Sequence, residues 1–120
     1  MYLTQNVVLP VLNNQVPHAN SSAYKAAVGA INTIVLSEAT EDTVVYPFES
    51  EQFGGYAFAP TKANPVTLNF TEGDSYAGDL LGLRTRYESA PSSLVLSSFV
   101  GDHIRFSDQY WDSFIIPFLV

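Results

Sequence analysis

Leu94-Val95-Leu96-Ser97-Ser98-Phe99-Val100-Gly101-Asp102-His103 is the stretch on which the fold turns. Its apolar, partly β-branched start predicts a buried strand. Gly101-Asp102-His103 ends that strand and leaves an imidazole at its exit. A second run of the same kind, Ile34-Val35-Leu36, is bounded by Asn32 and by Ser37-Glu38, and the acidic pair Glu41-Asp42 follows it. Ahead of that run, Asn20-Ser21-Ser22 offers acceptors for the free N–H groups of a helix start. Ala23 to Ala30 is Ala-rich, with Tyr24, Val28 and Ile31 at helical spacing and Gly29 weakening the end. A helix feeding a strand this closely predicts an α/β fold.

Outward from these two strands the pattern loosens. Pro10 splits Val7-Val8-Leu9 from Val11-Leu12, so the first 18 residues read as an extended, partly buried segment ending in a polar loop that holds His18. Residues 40–66 contain no convincing regular element, yet Tyr46, Phe48, Phe53, Tyr56 and Phe58 crowd in among Pro47, Gly54-Gly55, Pro60 and Pro65. An aromatic-rich loop of that length reads equally as a functional lid or as a flap over one edge of the core. Val66 to Phe70 suits a short extended piece, Tyr76 to Leu83 a helical turn or two, and Arg84 to Pro91 a polar loop. Ser107-Asp108 caps a final helix, with an acid where the helix dipole favours it. Trp111, Phe114, Ile115, Phe118 and Leu119 supply that helix's apolar stripe, and Pro117 kinks or ends it.

Composition narrows the classes. The 120 residues carry 12 Asp and Glu against 5 Lys and Arg, a net charge of −7. That balance argues against nucleic acid and against an anionic membrane surface, both of which attract basic clusters. No apolar run reaches the roughly 18 residues of a spanning helix, so stable membrane insertion is not expected. Hydrophobic residues make up 47%, enough to require a core. Cysteine is absent, which leaves no disulfide and no Cys-ligated metal. Met1 to Asn6 lacks the basic start of a signal peptide.

Asp42 and His103 stand in matching places, each just beyond a strand. A carboxylate and an imidazole at successive strand ends converge at the C-terminal edge of an α/β sheet, where such sheets hold their ligands. In α/β-hydrolases the order along the chain is Ser, then Asp or Glu, then His. The acid holds the imidazole in its working tautomer, and the imidazole removes the serine proton. Asp102 is a rival acid, ranked below Asp42 because sequence neighbours seldom face each other. The alternative for the pair is a capping histidine and a solvated aspartate.

Longer motifs carry a resemblance. Residues 94–119, with Gly101-Asp102-His103, Trp111 and Ile115-Ile116-Pro117-Phe118-Leu119, resemble the C-terminus of the palmitoyl-protein thioesterases. Asp42-Thr43-Val44-Val45-Tyr46-Pro47 and Glu49-Ser50-Glu51-Gln52-Phe53-Gly54 resemble the segment around that family's catalytic aspartate. Asn20 to Lys25 and Leu81-Gly82-Leu83 match as well, in the same order.

The resemblance implies the C-terminal portion of an α/β-hydrolase fold, with residues 1–120 forming a partial domain. It implies hydrolysis of fatty acyl thioesters on protein cysteines in the lysosome, with Asp42 as triad acid and His103 as triad base. Phe53 lines the acyl groove in this reading, and Gln52 departs beside it from the family's usual aromatic. The partner is an S-acylated protein or peptide, and no metal or cofactor is implied. Asn20-Ser21-Ser22 and Asn69-Phe70-Thr71 satisfy the N-glycosylation pattern, the first where the family carries a glycan. The Gly-x-Ser-x-Gly elbow is missing, so the chain is expected to be the last third or so of an enzyme and inactive by itself. The competing expectation is a truncated, non-catalytic α/β fragment with a binding role or none.

Overall fold

The computed structural model describes residues 2–57 and 65–119. Phe58 and Pro60 of the aromatic loop lie outside the described residues.

The first 18 residues are helical rather than extended. Short helices α1 (Tyr2–Gln5) and α2 (Leu9–Leu12) occupy them. The Asn6 side chain accepts from the Val8 and Leu9 N–H groups at 3.0 and 2.9 Å and so starts α2. Pro10 sits in the first turn of α2, where its missing N–H costs nothing, and it is fully buried. Proline excludes a central strand but not a helix start.

Helix α3 (Ser21–Gly29) leads into strand β1 (Ile34–Ala39), as the sequence predicts. The Asn20 side chain makes no cap bond; instead the Ser21 hydroxyl accepts from the His18 N–H at 3.2 Å. Then come a 3₁₀ turn over Phe48–Gln52 and a small antiparallel pair, β2 (Gly55–Tyr56) with β3 (Thr67–Leu68). Helix α4 (Asp74–Ala77) follows.

Residues 84–91, expected as a polar loop, are mostly helix α5 (Leu83–Ser89). Its start is held by the buried Asp79, whose carboxylate accepts from the Thr85 N–H at 3.1 Å and the Thr85 hydroxyl at 2.6 Å. Lys25 of α3 donates to the same carboxylate at 2.9 Å. Near the other end, the Arg86 guanidinium donates to five carbonyls, those of Val28, Gly29, Ile31, Asn32 and Ser93. One side chain thereby collects the free carbonyls at the end of α3 and pins them to α5.

Strand β4 (Leu94–Phe99) pairs parallel with β1, from Ile34 opposite Leu94 to Ala39 opposite Phe99. Parallel strands need a long crossover, and here helices lie within it. The core sits beneath this sheet, with Phe70, Leu83 and Leu94 buried among Val28, Ile34, Leu36, Tyr76, Leu81 and Leu96. Both strands are only half-buried, unlike the expectation, because each has one strand neighbour among the described residues.

Ser107 caps α6 (Asp108–Tyr110) by accepting from the Tyr110 N–H at 3.1 Å. The segment continues as a π-helical turn over Trp111–Ile115 and a 3₁₀ turn over Ile116–Phe118 that contains Pro117. Tyr110 is its buried residue, packed on Phe99, while Trp111, Phe114 and Phe118 remain exposed. No helix among the described residues is long and apolar enough to cross a membrane.

Candidate active site

The site grows from the register of the parallel pair. Beyond Ala39 and Phe99 the two chains stay together: the Thr40 N–H donates to the Phe99 carbonyl at 3.0 Å, and the Glu41 N–H to the Gly101 carbonyl at 3.1 Å. Asp42 and His103 therefore leave the sheet side by side. Asp42 Oδ2 faces His103 Nδ1 at 2.7 Å.

Asp42 is buried, and its other oxygen, Oδ1, accepts from the Val44 and Val45 N–H groups, both at 2.6 Å. Burial opposes ionisation, but hydrogen bonds from Val45, His103 and Val44 outweigh it and hold the carboxyl down at about 2. The carboxylate is thus charged and fixed before it meets the imidazole. The side chain of His103 is one-third exposed, so the ring is oriented on one edge and accessible on the other.

Asp102 does not orient the ring. Its Oδ1 accepts from the Thr43 N–H at 2.9 Å, the Thr43 hydroxyl at 2.8 Å and the His103 N–H at 2.8 Å. These bonds, the Thr43 N–H first among them, hold its carboxyl below the usual range. The sequence offered Asp102 only as a rival for Asp42, and its role as a clasp between two loops went unread.

The 3₁₀ turn after Pro47 brings a third carboxyl. Glu51 Oε2 accepts from the Ala39 N–H at 2.6 Å, and Oε1 lies 3.9 Å from His103 Nδ1. Burial pushes the Glu51 carboxyl up; the Ala39 N–H opposes this, and the adjacent Asp42 adds to it. Glu38 is raised as well, by burial and then by Glu49 and Glu51. In the sequence Glu51 stands within Glu49-Ser50-Glu51-Gln52-Phe53-Gly54 with no role of its own. No periodicity or charge pattern marks it, because its contacts are made across loops.

Gln52, next to it, donates from Nε2 to the Ser97 carbonyl of β4 at 2.7 Å, which ties the turn to the sheet. Phe53 follows in the left-handed conformation at φ 61° with its ring exposed. Together with Tyr56, Leu68 and Ser75 it lines a cleft of about 290 Å³ that neither Asp42 nor His103 lines. Asn20 and Asn69 are both exposed, and Asn69 Oδ1 accepts from the Thr71 N–H and hydroxyl at 3.0 and 2.9 Å. His18 stacks on Tyr24, away from the dyad.

Among the described residues, Asp42, Glu51 and His103 are the group whose ligand atoms lie within 4.8 Å of one another. Two ligands of one tetrahedral ion with bonds near 2.1 Å stand about 3.4 Å apart. The 2.7 Å between Asp42 and His103 is shorter, and is the spacing of a hydrogen-bond donor and its acceptor. Among the described residues no serine hydroxyl hydrogen-bonds His103. The arrangement can orient and polarise an imidazole for proton transfer at Nε2.

A model of the palmitoyl protein thioesterase family matches residues 1–103. The chain is 26% identical over 100 residues to the lysosomal thioesterase PPT2 homolog of Drosophila melanogaster, an alignment covering 83% of this chain and 33% of that protein. It is 29% identical over 85 residues to the lysosomal thioesterase PPT2 of Mus musculus, covering 71% and 26%. With palmitoyl-protein thioesterase 3 of Dictyostelium discoideum it shares 27% identity over 121 residues, covering 98% and 40%. The chain thus spans well under half the length of these curated relatives.

Proposed function

The chain belongs to the palmitoyl protein thioesterase family, and from that premise we propose that it supplies the acid and the base of a Ser-His-Asp triad acting on fatty acyl thioesters. The observation that carries the reading is the 2.7 Å contact between buried Asp42 and half-buried His103. In the proposed mechanism Asp42 keeps the proton on His103 Nδ1, which leaves Nε2 free as a base. Nε2 takes the proton of a serine outside residues 1–120 while that oxygen attacks the thioester carbonyl. The C–S bond then breaks, and the proton passes from Nε2 to the leaving sulfur. Water attacks the acyl-enzyme by the same route in reverse, and the fatty acid departs.

Residues 1–120 are, in this proposal, a partial α/β-hydrolase domain whose nucleophile lies in another segment. The share of the relatives that the chain covers supports this, as does the lack of a serine bonded to His103 among the described residues. The chain alone is then inactive. The substrate is an S-acylated protein or peptide. In this reading the cleft that Phe53, Tyr56 and Leu68 line takes part of an acyl chain, and Gln52 fixes the turn that bears Phe53. Two of the relatives are lysosomal thioesterases, which supports a lysosomal setting, and the exposure of Asn20 and Asn69 is compatible with glycans there.

The test is made in an intact enzyme carrying these residues. His103→Ala is expected to abolish thioester hydrolysis, and Asp42→Asn to cut kcat by roughly four orders of magnitude, the scale known for loss of a triad acid. Undiminished turnover in Asp42→Asn removes the assignment.

A further inference from the structure

We propose that Glu51 is a positioning residue for His103, a second carboxyl that backs Asp42 and takes the Nδ1 proton as its partner when Asp42 is lost. The inference rests on the triad reading above and adds a residue to it.

The geometry is specific. One oxygen of Glu51 is fixed at 2.6 Å by the N–H of Ala39, a buried residue in the last paired position of β1. The carboxyl is therefore anchored to the sheet that also sets Asp42, although Glu51 itself stands on a turn. A carboxyl that served only to terminate the strand would need that one oxygen. The second oxygen instead lies 3.9 Å from Nδ1, the ring atom that Asp42 Oδ2 already contacts. A shift of about 1 Å brings it into hydrogen-bond range, a distance that rotation of a terminal carboxyl covers.

The electrostatics agree. The side chains of Asp42 and Glu51 are 0% and 15% exposed, and they also hydrogen-bond each other. Two carboxyls so close and so dry do not both ionise freely. Asp42 carries the charge, since two backbone N–H groups face it, and burial raises Glu51. A neutral Glu51 donates to Asp42. An ionised Glu51 adds a second negative charge beside the imidazolium that forms during turnover. The other ionisable groups that face Glu51 are Glu38, Asp42 and His103.

The experiment follows the ring nitrogens of His103 by ¹⁵N NMR in the 120-residue chain between about pH 4 and about pH 8, where an imidazole titrates. The variants are Glu51→Gln, Asp42→Ala and the double variant. Glu51→Gln keeps an oxygen for the Ala39 N–H. Asp42→Ala is expected to retain the Nδ1–H tautomer, held by Glu51, and the double variant to lose it. Glu51→Gln alone is expected to keep the tautomer, because Asp42 still faces Nδ1. Equal tautomer ratios in Asp42→Ala and the double variant overturn the proposal. If Asp42→Ala loses its native spectrum, Asp42→Asn with and without Glu51→Gln decides: a larger Nδ1–H share in the single variant supports the proposal, and equal shares overturn it. A failure of the triad reading looks different, because His103 of the unaltered chain would then carry its proton on Nε2.

Discussion

Asp102 Oδ1 accepts both the N–H and the hydroxyl of Thr43, so the loop leaving β4 is buttoned to the loop leaving β1 by a single oxygen. The same oxygen takes the His103 N–H. Asp42 and His103 meet across a gap that this clasp closes. Thr43→Val removes one of the three donors and is expected to cost about 1 kcal/mol. Asp102→Ala removes the acceptor of all three and is expected to cost more. Urea denaturation of the two variants checks the order; equal costs would show that the hydroxyl carries the clasp alone.

Arg86 is the second polar tie. Five backbone carbonyls share its guanidinium. Lysine keeps the charge but lacks the planar fork, so it cannot reach them together. Arg86→Lys is expected to lower stability by about 2 kcal/mol through unsatisfied carbonyls at the end of α3. The urea midpoint should fall while the slope stays constant, since the same surface is exposed on unfolding.

Gly54 lies where the turn bearing Glu51 and Gln52 presses on β3. A Cβ there would run into the carbonyl oxygens of Leu68 and Glu49, which are backbone and cannot swing away. Gly54→Ala is expected to cost about 2 kcal/mol or more by overpacking. It should also loosen Glu51 from Ala39, read as faster amide exchange at Ala39 than in Thr43→Val.

Acid and base pull stability in opposite directions. The Asp42 and Asp79 carboxyls are held down from 3.8 to about 2, and Asp102 is lowered too. Their contribution is complete above 3.8 and is lost as pH falls toward about 2. Glu51 and Glu38 are raised above 4.5, so their contribution is present below 4.5 and is lost as pH rises through their folded values. Melting temperature should therefore peak at about pH 4 to 5. A curve that climbs steadily to neutrality would contradict the raised Glu51.

Legibility in the sequence followed the kind of interaction. Strands β1 and β4 stood out because apolar, β-branched runs leave a local signature, and their exits marked Asp42 and His103. Helix α5 did not, since Leu83-Arg84-Thr85-Arg86-Tyr87-Glu88-Ser89 has Leu83 alone buried and is held by Asp79 and Arg86. Such polar ties join residues far apart and leave no period to read. Pro10 misled for another reason: the same missing N–H suits a broken strand and a helix start. Glu51 acquires its place from Ala39 and His103, neither of which is near it in the chain.

The separation between paired strands bears on how the site comes into being. Ser37 and Ser97 sit opposite each other across 60 residues, and Asp42 and His103 across 61. Closing a loop of that length costs on the order of 4 kcal/mol in chain entropy before any contact repays it. Nothing local assembles the acid and the base ahead of that closure. The Asp42–His103 contact therefore depends on the pairing of β1 with β4, and its appearance reports that the crossover between them has closed.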